Sequence, residues 1–498
     1  MEKDSFEGKF EFGILLISGS FNLTVLKGCA KCHGFHLMKK NEPYYFCNIL
    51  PFSQFCIELC DDECNEKSNE FRYRIEKIEK PNLIHIQTDS YFSRLVRNMN
   101  AKIEHEVFNN YTEIKNMKVV TYDYDTITTL SKMCGFNKKY FVMGSTDTGK
   151  STMTKYIVNC LLNINDKVYY IDCDIGQSEF STPGCISLFC LKKPVFGPPF
   201  SHVIETVASC TIANNTVTNI EINSYLACVN HCYNHYLNQK VNDPLVVNWM
   251  GWIQGLGYQL MKETIKIVRP HFVVQLDSPM KHVNINPVDT LSIQDSKSKR
   301  SFSKEFTNVL IKSPIAYNTV KTYPNQKLRQ LQFLVYFSNV FKVFNVALSL
   351  NYAKPYMIHF SNIFIKLHTK VPPDMYCDVI NASVVSLSHL EDNCDYTHNY
   401  CNISKMNILQ SNTTEKFDHL GYGIIRNVDL INRIIFVITP LSSKIISQVN
   451  VIICTKIPLL TNILSSQTNL AYQPNYLSYS SNNMLSKHQS LASIRKRR

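Results

Sequence analysis

The residues of this chain best suited to chemistry are Gly144, Ser145, Thr146, Asp147, Thr148, Gly149, Lys150, Ser151 and Thr152, a G-x-x-x-x-G-K-S run with the threonine that follows it. An apolar stretch, Tyr140-Phe-Val-Met143, feeds the run. An amphipathic one with Met153, Tyr156, Ile157, Cys160 and Leu161 leaves it. Strand, loop and helix in that order are the context that makes the pattern a phosphate-binding loop. Gly144 and Gly149 let the backbone turn tightly, so that successive N–H groups face inward. With the positive end of the helix dipole behind them, those donors form an anion site. Lys150 can reach the outer phosphates of a bound nucleotide as a point charge, and the Ser151 hydroxyl can ligate Mg²⁺.

Further on, Lys167-Val-Tyr-Tyr-Ile-Asp172-Cys-Asp174-Ile-Gly-Gln177 reads as a buried strand ending in two carboxylates. Phosphoryl transfer needs negative charge beside the metal and beside the group that loses a proton. In a parallel sheet this strand and the loop strand deliver their C-terminal ends to one rim. The plainer alternative, an aspartate that only caps a turn, leaves the phosphate loop without a metal partner.

These residues need an α/β layer to hold them, and the pattern supplies one between 138 and 345. Apolar strands at Tyr140–Met143, Val168–Asp172, Leu245–Asn248 and His271–Leu276 alternate with helices at Thr218–Leu237, Gly255–Val268 and Lys327–Phe341, besides the one after the loop. The polar segment Asp289–Thr307 is expected to serve as a mobile lid. Residues 1–137 show short apolar runs (Phe10–Ile17, Phe21–Leu26, Tyr44–Leu50, Ile84–Gln87) separated by Gly, Pro and Asn, which predicts an antiparallel β module. Within them Asp61–Lys80 reads as an exposed loop or short helix, and Thr126–Met133 as a helix leading into the loop strand. Residues 346–465 return to β-like runs at Ile363–Leu367, Val379–Leu387, Gly423–Ile425 and Ile434–Ile438. Residues 466–498 form a polar tail closing in Arg495-Lys-Arg-Arg498, either a nuclear-import or RNA-contact element or a bystander. The expected fold class is α/β: a central P-loop domain on a parallel sheet, flanked by N- and C-terminal β-rich domains.

Composition bounds the class. Hydrophobic content of 45% with 18% charged residues suits a globular protein and excludes a disordered one, and a net charge of +12 suits an anionic partner such as RNA. The opening Met1-Glu2-Lys3-Asp4 lacks a signal-peptide pattern, and the apolar stretch at Val449–Leu460 is broken by Lys456 and Pro458, so an intracellular, soluble protein with no membrane partner is expected. The eighteen cysteines then read as reduced, mostly buried thiols. Cys29-Ala-Lys-Cys32-His33 could be a haem c attachment or half a zinc site. Cys56, Cys60 and Cys64 lack the second close pair, and the alternation across Leu23–Leu37 favours a strand there.

The run Tyr170-Ile-Asp-Cys-Asp-Ile-Gly-Gln-Ser-Glu-Phe-Ser-Thr-Pro-Gly-Cys185-Ile-Ser-Leu resembles the polynucleotide 5′-hydroxyl-kinase family, in its nucleolar pre-ribosomal-RNA branch. Gly197-Pro-Pro-Phe-Ser-His202, Asn248-Trp-Met-Gly-Trp252-Ile-Gln-Gly255-Leu-Gly257, Leu328-Arg329, Tyr336-Phe337, Asn381-Ala-Ser and Leu420-Gly-Tyr-Gly423-Ile-Ile-Arg extend the likeness from about 138 to 460. The resemblance implies ATP and Mg²⁺ at Lys150 and Ser151. Asp174 would be the carboxylate that orients and deprotonates an RNA 5′-hydroxyl, with Asp172 nearer the metal. Gln177, Thr182, Gly184 and His202 would grip the substrate strand. Trp252 resembles a base-stacking residue, with a core role as the alternative. Arg329 is either a lid arginine or part of a helix-surface salt bridge. Trp249 departs from the pattern, which has a small hydroxyl residue there, and would either narrow the groove or fill a gap. The resemblance further implies 5′-phosphorylation of pre-rRNA ends in the nucleus and nucleolus, beside a HEPN-type endoribonuclease. The competing readings are a nucleotide-dependent assembly factor and a scaffold for a nuclease without transfer activity. No N-K-x-D guanine motif follows the loop, and Lys150, Ser151 and Asp174 are intact.

Overall fold

The computed structural model describes residues 5–48, 54–60, 70–78, 103–109, 113, 119–201, 204–214, 222–239, 242–278, 284–288, 306–313, 315–317, 325–340, 350, 353–367, 371–390, 397–401, 406–410 and 417–458. It falls into two compact units, one ending at Phe333 and the next beginning at Leu334. Among the described residues, no helix is long and apolar enough to cross a membrane.

The first unit opens with an antiparallel module of β1 (Ser5–Phe10), β2 (Ile14–Lys27), β3 (Ala30–Cys32), β4 (Phe35–Leu37), β5 (Tyr44–Asn48), β6 (Phe55–Leu59), β7 (Phe71–Lys77) and β8 (Glu104–Phe108), in the order β1-β7-β2-β6-β3-β4 with β5 and β8 also on β2. Two of the expected apolar runs are joined in one strand. The first part of β2 pairs with β6 and β8, and from Gly19 onward it pairs with β5 and β7. Gly19, at φ 115°, takes the backbone from one partner set to the other where a side chain would be strained. The mixed-charge stretch Asp61–Lys80 is also corrected in part, because residues 71–77 form a strand. Phe71, Tyr73 and Ile75 point inward while Arg72, Arg74 and Glu76 point out, so charges on one face concealed a period of two. Residues 61–69, including Cys64, and Ile84–Gln87 lie outside the described residues. The alternation across Leu23–Leu37 belongs to three strands, β2 to β4. Cys32 is buried in the core of this module.

The α/β layer follows: β9 (Val119–Thr121), α1 (Tyr124–Met133), β10 (Lys139–Gly144), α2 (Lys150–Leu162), β11 (Val168–Asp172), β12 (Cys185–Leu191), β13 (Thr206–Thr211), α3 (Ile222–Asn238), β14 (Leu245–Asn248), α4 (Leu256–Val268), β15 (Phe272–Asp277), β16 (Thr307–Lys312), β17 (Ile315–Tyr317) and α5 (Asn325–Ser338). Asp123 caps α1, its Oδ1 accepting from Thr126 N at 2.8 Å. The sheet order is β16-β15-β10-β14-β11-β12-β13, the first five strands parallel. Both faces are covered, which is why the strands read as unbroken apolar runs. Tyr140, Val142 and Tyr170 pack with α1 and α2, and Phe141, Met143 and Ile171 with α3 and α4. The expected parallel sheet also gains two antiparallel strands. Residues 173–184 form a loop and no crossover helix, so β12 returns against β11 and β13 against β12.

The turn between β3 and β4 seats on α2. Asn159 Nδ2 donates to His33 O at 3.1 Å, Asn163 Nδ2 to Gly34 O at 2.9 Å, and His36 N to Asn163 Oδ1 at 2.9 Å. Gly34, at φ 82°, is required because a Cβ there would meet Cys160 Sγ at 2.7 Å. Phe196, from beyond β12, stacks on Phe46 in the core of the N-terminal module, with centroids 4.4 Å apart.

The second unit is a mixed sheet with its own core. It comprises β18 (Tyr356–His359), β19 (Phe364–Lys366), α6 (Tyr376–Ile380), β20 (Val384–His389), β21 (Thr397–Cys401), β22 (Met406–Gln410), β23 (Asp418–Asp429), β24 (Ile434–Ile438), α7 (Ser443–Ile446) and β25 (Val451–Cys454). β24 joins β18 to β23, and the order continues β23-β20-β25-β19-β22-β21, with β19 parallel to both neighbours. The run Val379–Leu387 is only partly strand. Its start closes α6, and Ala382 at φ 55° turns the chain into β20. Residues 466–498 lie outside the described residues.

Candidate active site

At the end of β10 the chain turns through Gly144 (φ 156°), Asp147 (φ 63°) and Gly149 (φ 84°) before α2 begins at Lys150. A Cβ on Gly144 would lie 2.8 Å from both Leu276 O and Thr148 Oγ1, so the loop fits against β15 only as glycine. Thr148 Oγ1 and Lys150 Nζ both donate to Ser145 O, at 2.8 and 2.6 Å, and brace the loop from within. Thr146 and Asp147 form its exposed crown, and Lys150 is buried. Ser145 Oγ is buried with no hydrogen-bond partner among the described residues, an unmatched polar group that a bound anion would satisfy. The cradle therefore fits a nucleotide phosphate. Ser151 and Thr152, half-buried, follow on the first turn of α2.

The carboxylates of β11 occupy different settings. Asp172 is fully buried, its Oδ1 accepting from Asn248 Nδ2 at 3.1 Å and Asp174 N at 3.2 Å, and its Oδ2 from Glu179 N at 2.6 Å. Burial pushes its carboxyl up to about 8, with Asp174 adding to the push and the donors opposing it. Asp174 is half-buried, its Oδ1 accepting from Gly176 N and Gln177 N, each at 3.0 Å, while its carbonyl accepts from Ser178 Oγ. Burial raises its pKa too, but Lys150 first and Arg329 as well pull against the rise. Lys150, Arg329 and Asp174 are thus brought into one electrostatic group, and Asp174 is the less buried of the two aspartates. The Arg329 pKa is lowered by burial, with Asp174 opposing.

The loop carrying Gln177 is tied down from several sides. Gln332, one turn after Arg329 on α5, donates its Nε2 to Ser178 O. Glu179 is buried and ion-paired with Lys155 Nζ at 3.1 Å, and the same Nζ donates to Gly197 O. Thr182 is buried, and Gly184 N donates to Ile175 O at 2.8 Å, closing the loop before β12. Trp252 is half-buried, with one face against Gly257, where a Cβ would fall 2.4 Å from its ring. Trp249 is a core residue, fully buried between Phe141 and Tyr225 and donating its Nε1 to Trp252 O at 3.4 Å. It fills a gap beneath the rim. His202 and residues 289–305 of the expected lid lie outside the described residues.

Residues 144–339 match the family model described as "mRNA cleavage and polyadenylation factor CLP1 P-loop", and residues 351–460 match "NOL9-like, C-terminal domain". Over these residues the chain is similar to the Clp1 P-loop family and to NOL9-like C-terminal domains. It is similar to "Polynucleotide 5'-hydroxyl-kinase NOL9" of Homo sapiens (29% identity, 66% of this chain and 50% of the relative) and of Arabidopsis thaliana (25%, 68% and 89%). The chain spans about half the length of the human and Bos taurus relatives it matches. In fold it is similar to a chain of the "Clp1p-Pcf11p" complex, with a TM-score of 0.53 at 14% identity over 92% of this chain and 98% of that one. This family uses a nucleotide at its P-loop.

Several residues that build this site carry no signal in sequence spacing. Asn248, Lys155, Glu179 and Gln332 act through partners far along the chain. Gly251 is one more: a Cβ there would lie 2.6 Å from Thr146 Oγ1 and 3.0 Å from Thr146 Cα, because the β14–α4 connection packs directly on the crown of the loop. Gly251→Ala is expected to weaken ATP binding by roughly tenfold, since loop backbone must move aside. Gly135→Ala, whose Cβ would meet only Lys138 Cγ at 3.7 Å, is expected to leave it unchanged. Calorimetric titration with ATP reads both, and equal affinities would remove Gly251 from the site.

Proposed function

We propose that the chain is an ATP-dependent polynucleotide 5′-hydroxyl kinase acting on RNA. The observation that carries this reading is Asp174, only partly buried, in the field of Lys150 and Arg329 at the rim where the phosphate loop begins. In transfer, the acceptor 5′-oxygen forms a bond to the γ-phosphorus as the β,γ-bridging P–O bond breaks, and Asp174 takes the hydroxyl proton. A carboxylate whose pKa lies above its ordinary value is a better acceptor than an unperturbed one. The loop amides, Ser145 Oγ and Lys150 hold the phosphates, and Arg329 balances charge on the transferring group. Ser151 would hold Mg²⁺, with Asp172 close to its shell through the loop it organises; the ion supplies charge neutralisation between the phosphates. Gln177, Thr182, Gly184 and His202 are assigned to the substrate strand, and Trp252 to stacking on a base.

The relatives' names, which specify a polynucleotide 5′-hydroxyl, and the basic composition support RNA 5′ ends as substrate; pre-rRNA in the nucleolus, alongside a HEPN-type endoribonuclease that leaves 5′-hydroxyl ends, is the proposed setting. The test is incubation of the purified chain with γ-labelled ATP and a 5′-hydroxyl RNA. Label on the RNA 5′ end is expected. Phosphate release with no labelled RNA would overturn the kinase reading in favour of a nucleotide-dependent assembly factor.

A further inference from the structure

The mechanism above leaves one buried polar contact at the rim unused. Tyr225, in the first turn of α3, is fully buried, and its hydroxyl donates to Cys173 O at 2.7 Å. Cys173 is the residue between the two aspartates, and its own N–H donates to Asn248 O at 3.0 Å. The peptide unit joining Cys173 to Asp174 is therefore held at both ends, its oxygen by Tyr225 and its N–H by Asp172 Oδ1 at 3.2 Å. That unit sets the direction in which the Asp174 side chain leaves the backbone. The Tyr225 ring is itself wedged by Trp249, edge to face at 81° with centroids 5.8 Å apart, and Trp249 rests on Phe141 beneath the phosphate loop. The indole that departs from the family pattern thus backs the tyrosine.

We propose that Tyr225 is a positioning residue for phosphoryl transfer. Its hydroxyl fixes the Cys173–Asp174 peptide and thereby the approach of the Asp174 carboxylate to the acceptor hydroxyl. This rests on the kinase reading given above. A small misplacement of a general base costs rate far more than it costs binding.

The molecule contains its own control. Tyr236, on the same helix, is also buried and donates its hydroxyl to a backbone carbonyl, Asp243 O at 2.9 Å, before β14 begins and so at the opposite end of the sheet from the rim. Tyr225→Phe and Tyr236→Phe are compared in the full chain by hydrogen exchange without substrate and by steady-state kinetics. Tyr225→Phe is expected to speed amide exchange over residues 173–178 by roughly tenfold, with residues 144–152 unchanged. It is also expected to lower kcat about tenfold while the KM for ATP stays within about twofold. Tyr236→Phe should lower the melting temperature to a similar degree and move neither readout. Unchanged exchange over 173–178 overturns the proposal, as does a kcat loss shared equally by Tyr236→Phe. If Tyr225→Phe does not fold, Trp249→Phe is expected to give a smaller change in the same direction, and no change overturns the role. A wild type that transfers no phosphate overturns the kinase reading instead, and the exchange arm, which needs no substrate, distinguishes that failure from failure of the clamp.

Discussion

Lys150→Ala is expected to fold as the wild type does and to lose RNA 5′-phosphorylation by a factor on the order of a thousand, about 4 kcal/mol of transition-state stabilisation. The ammonium is buried at the mouth of the loop and donates to Ser145 O at 2.6 Å, an oxygen that Thr148 Oγ1 also braces. Removing the lysine therefore leaves the loop its Thr148 brace and its backbone donors. The transferring phosphoryl group loses more, because a fixed charge in a dry site costs no reorganisation as the reaction proceeds. Asp174 loses the larger of the two cations that oppose the rise of its pKa, so its carboxylate becomes harder to keep ionised. The two losses act together on kcat. The check is kcat at saturating ATP, with the melting temperature as the control for folding. Equal turnover in both proteins would remove Lys150 from the chemistry.

The site was legible where local chain geometry makes it, and hidden where distant partners do. The phosphate loop could be read because strand, glycines, lysine and helix are consecutive, and β10, β11 and β14 could be read because strands covered on both faces are apolar throughout. The resemblance added roles to Asp172 and Asp174 that spacing alone leaves interchangeable. Burial separates them: Asp172 is wholly enclosed by three donors, and Asp174 is partly open. That difference depends on Asn248, many residues along the chain, and no local pattern announces it. The antiparallel pair β12 and β13 was missed because the loop before them takes the place of a crossover helix. β7 was missed because its outward face is charged. Trp249 was legible as a departure from the family pattern, but its neighbours Phe141 and Tyr225 come from two other elements.

The two aspartates are expected to fail in different ways when each becomes asparagine. In Asp174→Asn the retained oxygen can still accept from Gly176 N and Gln177 N, so the turn after β11 survives and ATP binding with it. The proton acceptor is gone, and phosphorylation of RNA should fall by about 10²–10⁴. Wild-type kcat should decline as pH falls through the Asp174 pKa, which burial places above the ordinary carboxylate value, because the protonated acid cannot take the hydroxyl proton. Activity is present above that pKa and lost below it, and the asparagine variant should lack this acid limb. Asp172 faces only donors. An asparagine that keeps Oδ1 for Asp174 N and Asn248 Nδ2 sets its amide against Glu179 N, leaving a buried donor unmatched at a cost of about 1–3 kcal/mol. Asp172→Asn is therefore expected to lower the melting temperature, loosen residues 174–179 and raise the Mg²⁺ concentration needed for half-maximal rate. ATP affinity, Mg²⁺ titration, melting temperature and the pH profile of kcat separate the two variants. Wild-type phosphorylation by Asp174→Asn would show that Asp174 is not the base. Full activity in both would move the chemistry away from this rim, since Asp174 is the carboxylate on which Lys150 and Arg329 both act.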